Sequence, residues 1–111
     1  MNRDTAYLRH IRECIRRIEE NVAGGREHFV ASHTIQDAVL RNLHTMAEAT
    51  QRLSDAAKAR RPEIEWRTIG AFRNVLVHDY LGVDLERIWQ IVHRDVPGLK
   101  RAIIAMLDEI A

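Results

Sequence analysis

With 111 residues, 46% hydrophobic and 30% charged, the chain is long enough for one buried core and no more. Five glycines and two prolines are too few for the turns of an all-β fold, and the single cysteine, Cys14, excludes an internal disulfide framework and a cysteine-based zinc site. The net charge is only +1, no apolar run approaches the roughly 20 residues of a membrane span, and the MNRDTAYLRH start lacks a secretory apolar region, so a reduced, cytoplasmic setting away from membranes is expected.

Leu8, Ile11, Ile15, Ile18 and Val22 recur at spacings of 3, 4, 3 and 4. That predicts a first helix with these residues on one stripe and Arg9, Arg12 and Arg16 on its polar face. Asp4 is its expected N-cap and Gly24-Gly25 its stop. Residues 26–33 read as a connector with a short turn that buries Phe29. Thr34 with Asp37 resembles a capping box. Beyond it Ile35, Val39, Leu43, Met46, Thr50, Leu53 and Ala57 keep helical spacing with no Gly or Pro over 34–59, which predicts one long second helix ending by Pro62.

A third helix is expected from about Glu65 to Tyr80, with Trp66, Ile69, Phe72, Val75 and Leu76 apolar and Gly82 as its left-handed cap. Asp84 starts a fourth, whose apolar face is Leu85, Ile88, Trp89 and Val92. Pro97 fits the first turn of a fifth, which carries Leu99, Ile103, Met106, Leu107 and Ile110. No segment alternates with period two. The expectation is an all-α bundle of about five helices, a single domain over residues 1–111, with any site built from helix faces or helix ends.

Charge is unevenly spread along these helices. Residues 1–17 and 58–73 each carry +3, against −5 in the remainder, and 15 of the 17 cationic residues are Arg. The guanidinium fork suits phosphate or carboxylate. Solvated faces with intrahelical ion pairs account for the same composition.

The informative stretch is Arg73-Asn74-Val75-Leu76-Val77-His78-Asp79-Tyr80. Asn74 and His78 share one helical face, and Arg73 and Tyr80 share another. Arg73 and His78, five positions apart, diverge by roughly 140° on a regular helix. They converge only if the helix tightens or ends near His78, or if a second copy of the chain completes the site. Purely structural roles are also open: His78 against the helix macrodipole, Arg73 paired with an acid such as Glu48, and Tyr80 at the edge of the core.

RNVLVHDY resembles the Arg-x4-His-x-Tyr motif of HEPN-type toxins, the HepT-like branch of the HEPN/MNT toxin–antitoxin systems. Residues 34–55, 61–84 and 85–103 are similar to that family in order and spacing. Ala47 stands where many relatives carry Gly, a departure that bears on close helix packing. The resemblance implies a HEPN-like bundle acting as a homodimeric, metal-independent endoribonuclease that needs no cofactor, with motif residues of both subunits lining a cleft. Arg73 and His78 would be catalytic and Asn74 supporting. RNA would be the substrate, held through its phosphates by the basic segments. Tyr80 would be the residue to which a partner minimal nucleotidyltransferase, the antitoxin, attaches AMP. The alternative is a non-catalytic HEPN-like dimer that binds the nucleotidyltransferase and uses Arg73 and His78 for nucleotide binding or fold stability.

His10, His28, His33, His44 and His93 form no HxxxH pair and no second cysteine joins them, so no metal site is expected. Cys14 reads as a small packed or interfacial residue rather than a nucleophile. Trp66 and Trp89 fall on apolar stripes and read as core or dimer contacts rather than base-stacking platforms.

Overall fold

The computed structural model describes residues 2–78 and 84–110, with the side chains of Asn2 and residues 75–78 outside the description. Seven α-helices follow in order: α1 (Asn2–Val22), α2 (Arg26–Ala31), α3 (His33–Arg52), α4 (Asp55–Ala59), α5 (Trp66–His78), α6 (Leu85–Gln90) and α7 (Val96–Ile110). A π-helical turn (Ile91–Asp95) joins α6 to α7. The described residues contain no strand. The all-α bundle is as expected, and none of its described helices is long and apolar enough to cross a membrane.

The first stripe closes the core. Leu8, Ile11, Ile15 and Ile18 are all buried, and α1 packs along α3 on one side and α7 on the other. Val39, Leu43 and Met46 meet it from α3, and Leu99, Ile103 and Met106 from α7. Thr50, the one buried polar residue in this core, satisfies its hydroxyl on the Ala47 carbonyl at 2.6 Å. The chain leaves α1 through Gly25, whose φ of 92° is left-handed backbone that glycine adopts without steric cost. The expected connector after it is α2, which buries Phe29.

Several boundaries differ from the sequence expectation. α1 starts at Asn2, so Asp4 lies inside its first turn instead of capping it. The long helix starts at His33 and is capped by Ser32, whose Oγ accepts from the Ile35 N–H at 3.3 Å; Thr34 lies inside the first turn. It also ends at Arg52 rather than running through residue 59. Leu53 and Ser54 are extended, and Ser54 caps α4 by accepting from the Ala57 N–H at 3.1 Å. Asp4 explains why the break sits there. Its carboxylate takes the Ser54 N–H at 2.9 Å and the Ser54 hydroxyl at 2.7 Å, so a residue 50 positions away stabilises the non-helical turn.

α5 is set by tertiary contacts at its start. Trp66 donates its indole N–H to the carbonyls of Lys58 (3.0 Å) and Arg61 (3.2 Å), tying the α4–α5 connection. Gly70 is buried against Gln51 in the last turn of α3, where an added Cβ would lie 3.0 Å from the Gln51 amide nitrogen. α5 thus begins beside the end of α3 and packs back along it, burying Ile69 and Phe72. Asp84 caps α6 as expected, accepting from the Arg87 N–H at 3.1 Å. The fourth and fifth expected helices are continuous. Pro97 has no N–H to give, and its ring would crowd the carbonyl one turn earlier; the wider π turn just before it absorbs that conflict without breaking the rod.

Candidate functional site

α5 carries the first two polar residues of the motif on its outward side. Arg73 and Asn74 are exposed, and no carboxylate lies within ion-pair distance of Arg73 among the described residues. Glu48, the acid that could have neutralised it, instead pairs with Arg52 one turn further along α3, at 3.8 Å. Arg73 therefore keeps its full charge at the surface, and nothing in the described packing requires it there.

His78 is the last residue of α5, and its side chain lies outside the described residues; so do Tyr80 and Gly82. The backbone is nevertheless informative. α5 is α-helical without tightening from Trp66 to His78. Arg73 and His78 therefore remain roughly 140° apart around its axis. Helix tightening, one of the routes by which a single chain could have converged them, is not used.

Helical spacing on α5 also identifies a residue that the motif did not. Arg67, Ala71 and Asn74 stand at i, i+4 and i+7 and are all exposed, and position 78 continues the same spacing at i+11, about 16 Å along the helix. Arg67 is exposed and, like Arg73, has no ion-pair partner among the described residues. The i, i+7 relation to Asn74 was the sequence signal for it. Arg60 and Arg61 of the same basic segment differ, because both pair with Glu109 near the end of α7.

His44 is a second residue that sequence reasoning passed over. Its Nε2 is buried with no hydrogen-bond partner. His44 and Gln51 are seven residues apart and share a face of α3, and Gly70 sits on Gln51. Because α5 runs back along α3, His78 lies roughly 12 Å beyond Gly70 and His44 roughly 10 Å before Gln51, at nearly the same level. An unpaired buried imidazole nitrogen costs stability, and such atoms are rare enough to mark a place of interest.

The remaining candidates stay structural. Cys14 is buried, and His10 lies one turn earlier with Nε2 at 3.7 Å from Sγ, a neighbour the sequence reading had not paired with it. Burial pushes the thiol pKa up, which keeps Cys14 a neutral packing group. No three His, Cys, Asp or Glu side chains gather as a metal-binding group among the described residues. In the first basic segment Arg16 is held by Glu13 (2.6 Å) and Glu20 (2.9 Å), and Arg17 by Glu13 at 3.4 Å. The Arg16 guanidinium depresses the Glu13 carboxyl to about 2. Arg9 and Arg12 line a cleft of about 310 Å³ between α1 and α7 together with Lys100, itself paired with Glu19 at 2.8 Å.

Comparison with known proteins adds the family. The family model described as "Ribonuclease HepT-like" matches residues 11–106. A Thermococcus cleftensis protein named "Probable ribonuclease HepT" is 38% identical over 95 residues, which cover 85% of this chain and 86% of that protein. A Caldanaerobacter subterraneus protein named "Putative RNase" is 29% identical over 104 residues, 93% of each chain. A Methanocaldococcus jannaschii protein named as a "Gamma-glutamylcyclotransferase and putative RNase" is 35% identical over 105 residues; the match spans 94% of this chain but 47% of that longer protein. No solved structure matches the chain.

Proposed function

The chain belongs to the HepT-like ribonuclease family, and from that membership we propose that it is the toxin component of a HEPN/MNT toxin–antitoxin pair, a metal-independent endoribonuclease of the cytoplasm. The observation that carries this reading is the unneutralised Arg73, exposed beside Asn74 on the helix that His78 ends. An arginine with no carboxylate partner and an imidazole, brought to one phosphate, are the minimum equipment for cleaving a phosphodiester that brings its own nucleophile.

In this mechanism neutral His78 removes the proton from a ribose 2′-hydroxyl. The freed oxygen attacks the adjacent phosphorus, and the P–O5′ bond breaks. An imidazolium returns a proton to the leaving 5′-oxygen, and the other product ends in a 2′,3′-cyclic phosphate. Arg73 holds the non-bridging oxygens while their charge grows, and Asn74 orients the phosphate or the imidazole. Two proton transfers and the 140° separation both favour a site shared between two copies, with Arg73 of one chain facing His78 of the other across a homodimer cleft. Arg67 extends the phosphate-binding face along α5.

Neutralisation follows the same chemistry. AMP attached to the Tyr80 hydroxyl by a partner minimal nucleotidyltransferase places a phosphate and a purine beside the motif, where they occupy Arg73 and exclude RNA. The test is expression of wild type, His78→Ala and Tyr80→Phe with and without the neighbouring transferase. The nuclease reading expects growth arrest and EDTA-resistant RNA cleavage from wild type and Tyr80→Phe but not from His78→Ala, with the transferase relieving wild type through an AMP mass increment on Tyr80 and leaving Tyr80→Phe toxic. Two folded, equally inert proteins would instead identify a non-catalytic partner-binding module.

A further inference from the structure

Beyond the motif, the chain builds a second unusual surface feature where α6 passes into the π turn. His93 is exposed, and its ring stacks on Trp89 with centroids 4.1 Å apart and planes inclined by 32°. Its Nδ1 lies 2.9 Å from the Trp89 carbonyl oxygen, a bond that places the proton on Nδ1 and leaves Nε2 the acceptor in the neutral ring. Trp89 in turn rests on Phe29, centroids 5.4 Å apart, and Phe29 is sealed in the core. Three rings thus run from the interior to solvent, and the outermost is fixed from below by the stack and from the side by a carbonyl. A solvent-facing ring held this firmly has lost rotamer freedom that an isolated surface histidine keeps.

Of the nearby cations, Arg94 follows His93 directly in sequence, whereas Arg87 lies six positions earlier, roughly 120° away around the rod. Arg87 and Arg94 are exposed and have no carboxylate within ion-pair distance among the described residues, although Glu86 and Asp95 are their neighbours in sequence. Glu86 is engaged by Arg26, and Asp84 is committed to the cap of α6. Seven residues separate the two arginines, roughly 10 Å along the rod. π turns inside helices frequently accompany functional sites, and this one sits between the tryptophan and Arg94.

We propose that Trp89, His93 and Arg94 form a nucleotide subsite in which an unpaired base of the substrate RNA stacks on the His93 ring and Arg94 takes a flanking phosphate. This rests on the ribonuclease reading and adds to it a contact outside the motif, one that takes an unpaired base. A base stacks on an aromatic face only when it is free of its own helix, and stacking accepts any base, so the subsite selects strandedness rather than sequence. The expectation from sequence that Trp89 is only a packing residue is thereby extended: Trp89 packs on one face and supports the platform with the other.

The test uses a fluorescein-labelled, 2′-O-methyl octanucleotide of mixed sequence, which lacks the 2′ proton and is bound without being cleaved. Wild type is expected to bind it, His93→Ala about ten-fold more weakly, and His93→Phe close to wild type because the stack is restored. Arg94→Gln should weaken binding and flatten its salt dependence by about one unit of slope. A duplex of the same sequence should bind His93→Ala and wild type alike. No binding by wild type, equal binding by folded His93→Ala, or no rescue by His93→Phe overturns the subsite. Wild type that binds through His93 yet cleaves no unmodified RNA overturns the ribonuclease reading and leaves the subsite standing.

Discussion

Residues 1–17 and 58–73 carry the same formal charge of +3, yet the fold treats them differently. In the first, neutralisation is local: Glu13 and Glu20 lie within one turn of Arg16, and Glu13 also reaches Arg17. In the second it comes from a distance, because Glu109 pairs with Arg60 and Arg61 across about 48 residues of chain. What remains uncompensated also differs. Arg9 and Arg12 are left in a cleft of α1, while Arg67 and Arg73 are left on the helix that carries Asn74 and His78. Charge counted along a sequence is therefore a poor guide to charge available to a ligand, which depends on what each guanidinium meets after folding.

Substitutions at the two segments break or sharpen this contrast. The largest effect is expected at Arg73: Arg73→Ala should lower RNA cleavage by about 10²–10³-fold with an unchanged circular dichroism spectrum, the scale of losing a transition-state charge donor. Arg12→Ala should stay within about two-fold of wild type. Equal losses at both would erase the distinction between the segments. Next, Arg67→Ala should raise KM for RNA several-fold, leave kcat unchanged and reduce the salt slope of binding by about 1.

Smaller effects test the frame that holds these faces apart. Asp4→Ala removes the two bonds to Ser54 and should cost about 1 kcal/mol, or about 4 °C in Tm, read by thermal denaturation. Those bonds hold the Asp4 carboxyl below its ordinary value of 3.8, so they stabilise the ionised form. The wild-type advantage over Asp4→Ala should therefore be fully present above pH 3.8 and close as pH falls through the lower folded-state value. Smallest is His44→Leu, which removes an unpaired buried nitrogen and should stabilise by about 0.5–1 kcal/mol. A simultaneous loss of cleavage would give that imidazole a role beside His78.

Much of the fold was legible because its signals are local. The stripe Leu8, Ile11, Ile15 and Ile18 predicted the buried face of α1, and Asp84 predicted the cap of α6 from its own side chain. The break at Leu53-Ser54 was not legible, since nothing in a Gly- and Pro-free run announces that Asp4 will bond the turn. Nor was the fusion of the last two helices, where a proline that normally marks a start is accommodated by a π turn. For the candidate site, the motif positions were visible in the sequence, because they are read from spacing alone. The outward stripe Arg67, Ala71 and Asn74 was readable from period alone, but that Arg67 has no carboxylate partner among the described residues was not.

Sequence by itself determined the helical periods, the single core and the motif Arg73-x4-His78, because each depends on spacing within a few turns of one chain. Tertiary structure decided that Asp4 bonds the turn at Ser54, that Glu109 serves Arg60 and Arg61, and which arginines keep no ion-pair partner among the described residues. Those outcomes depend on distances between residues far apart in sequence, and folding sets them through the packing of α1, α3, α5 and α7.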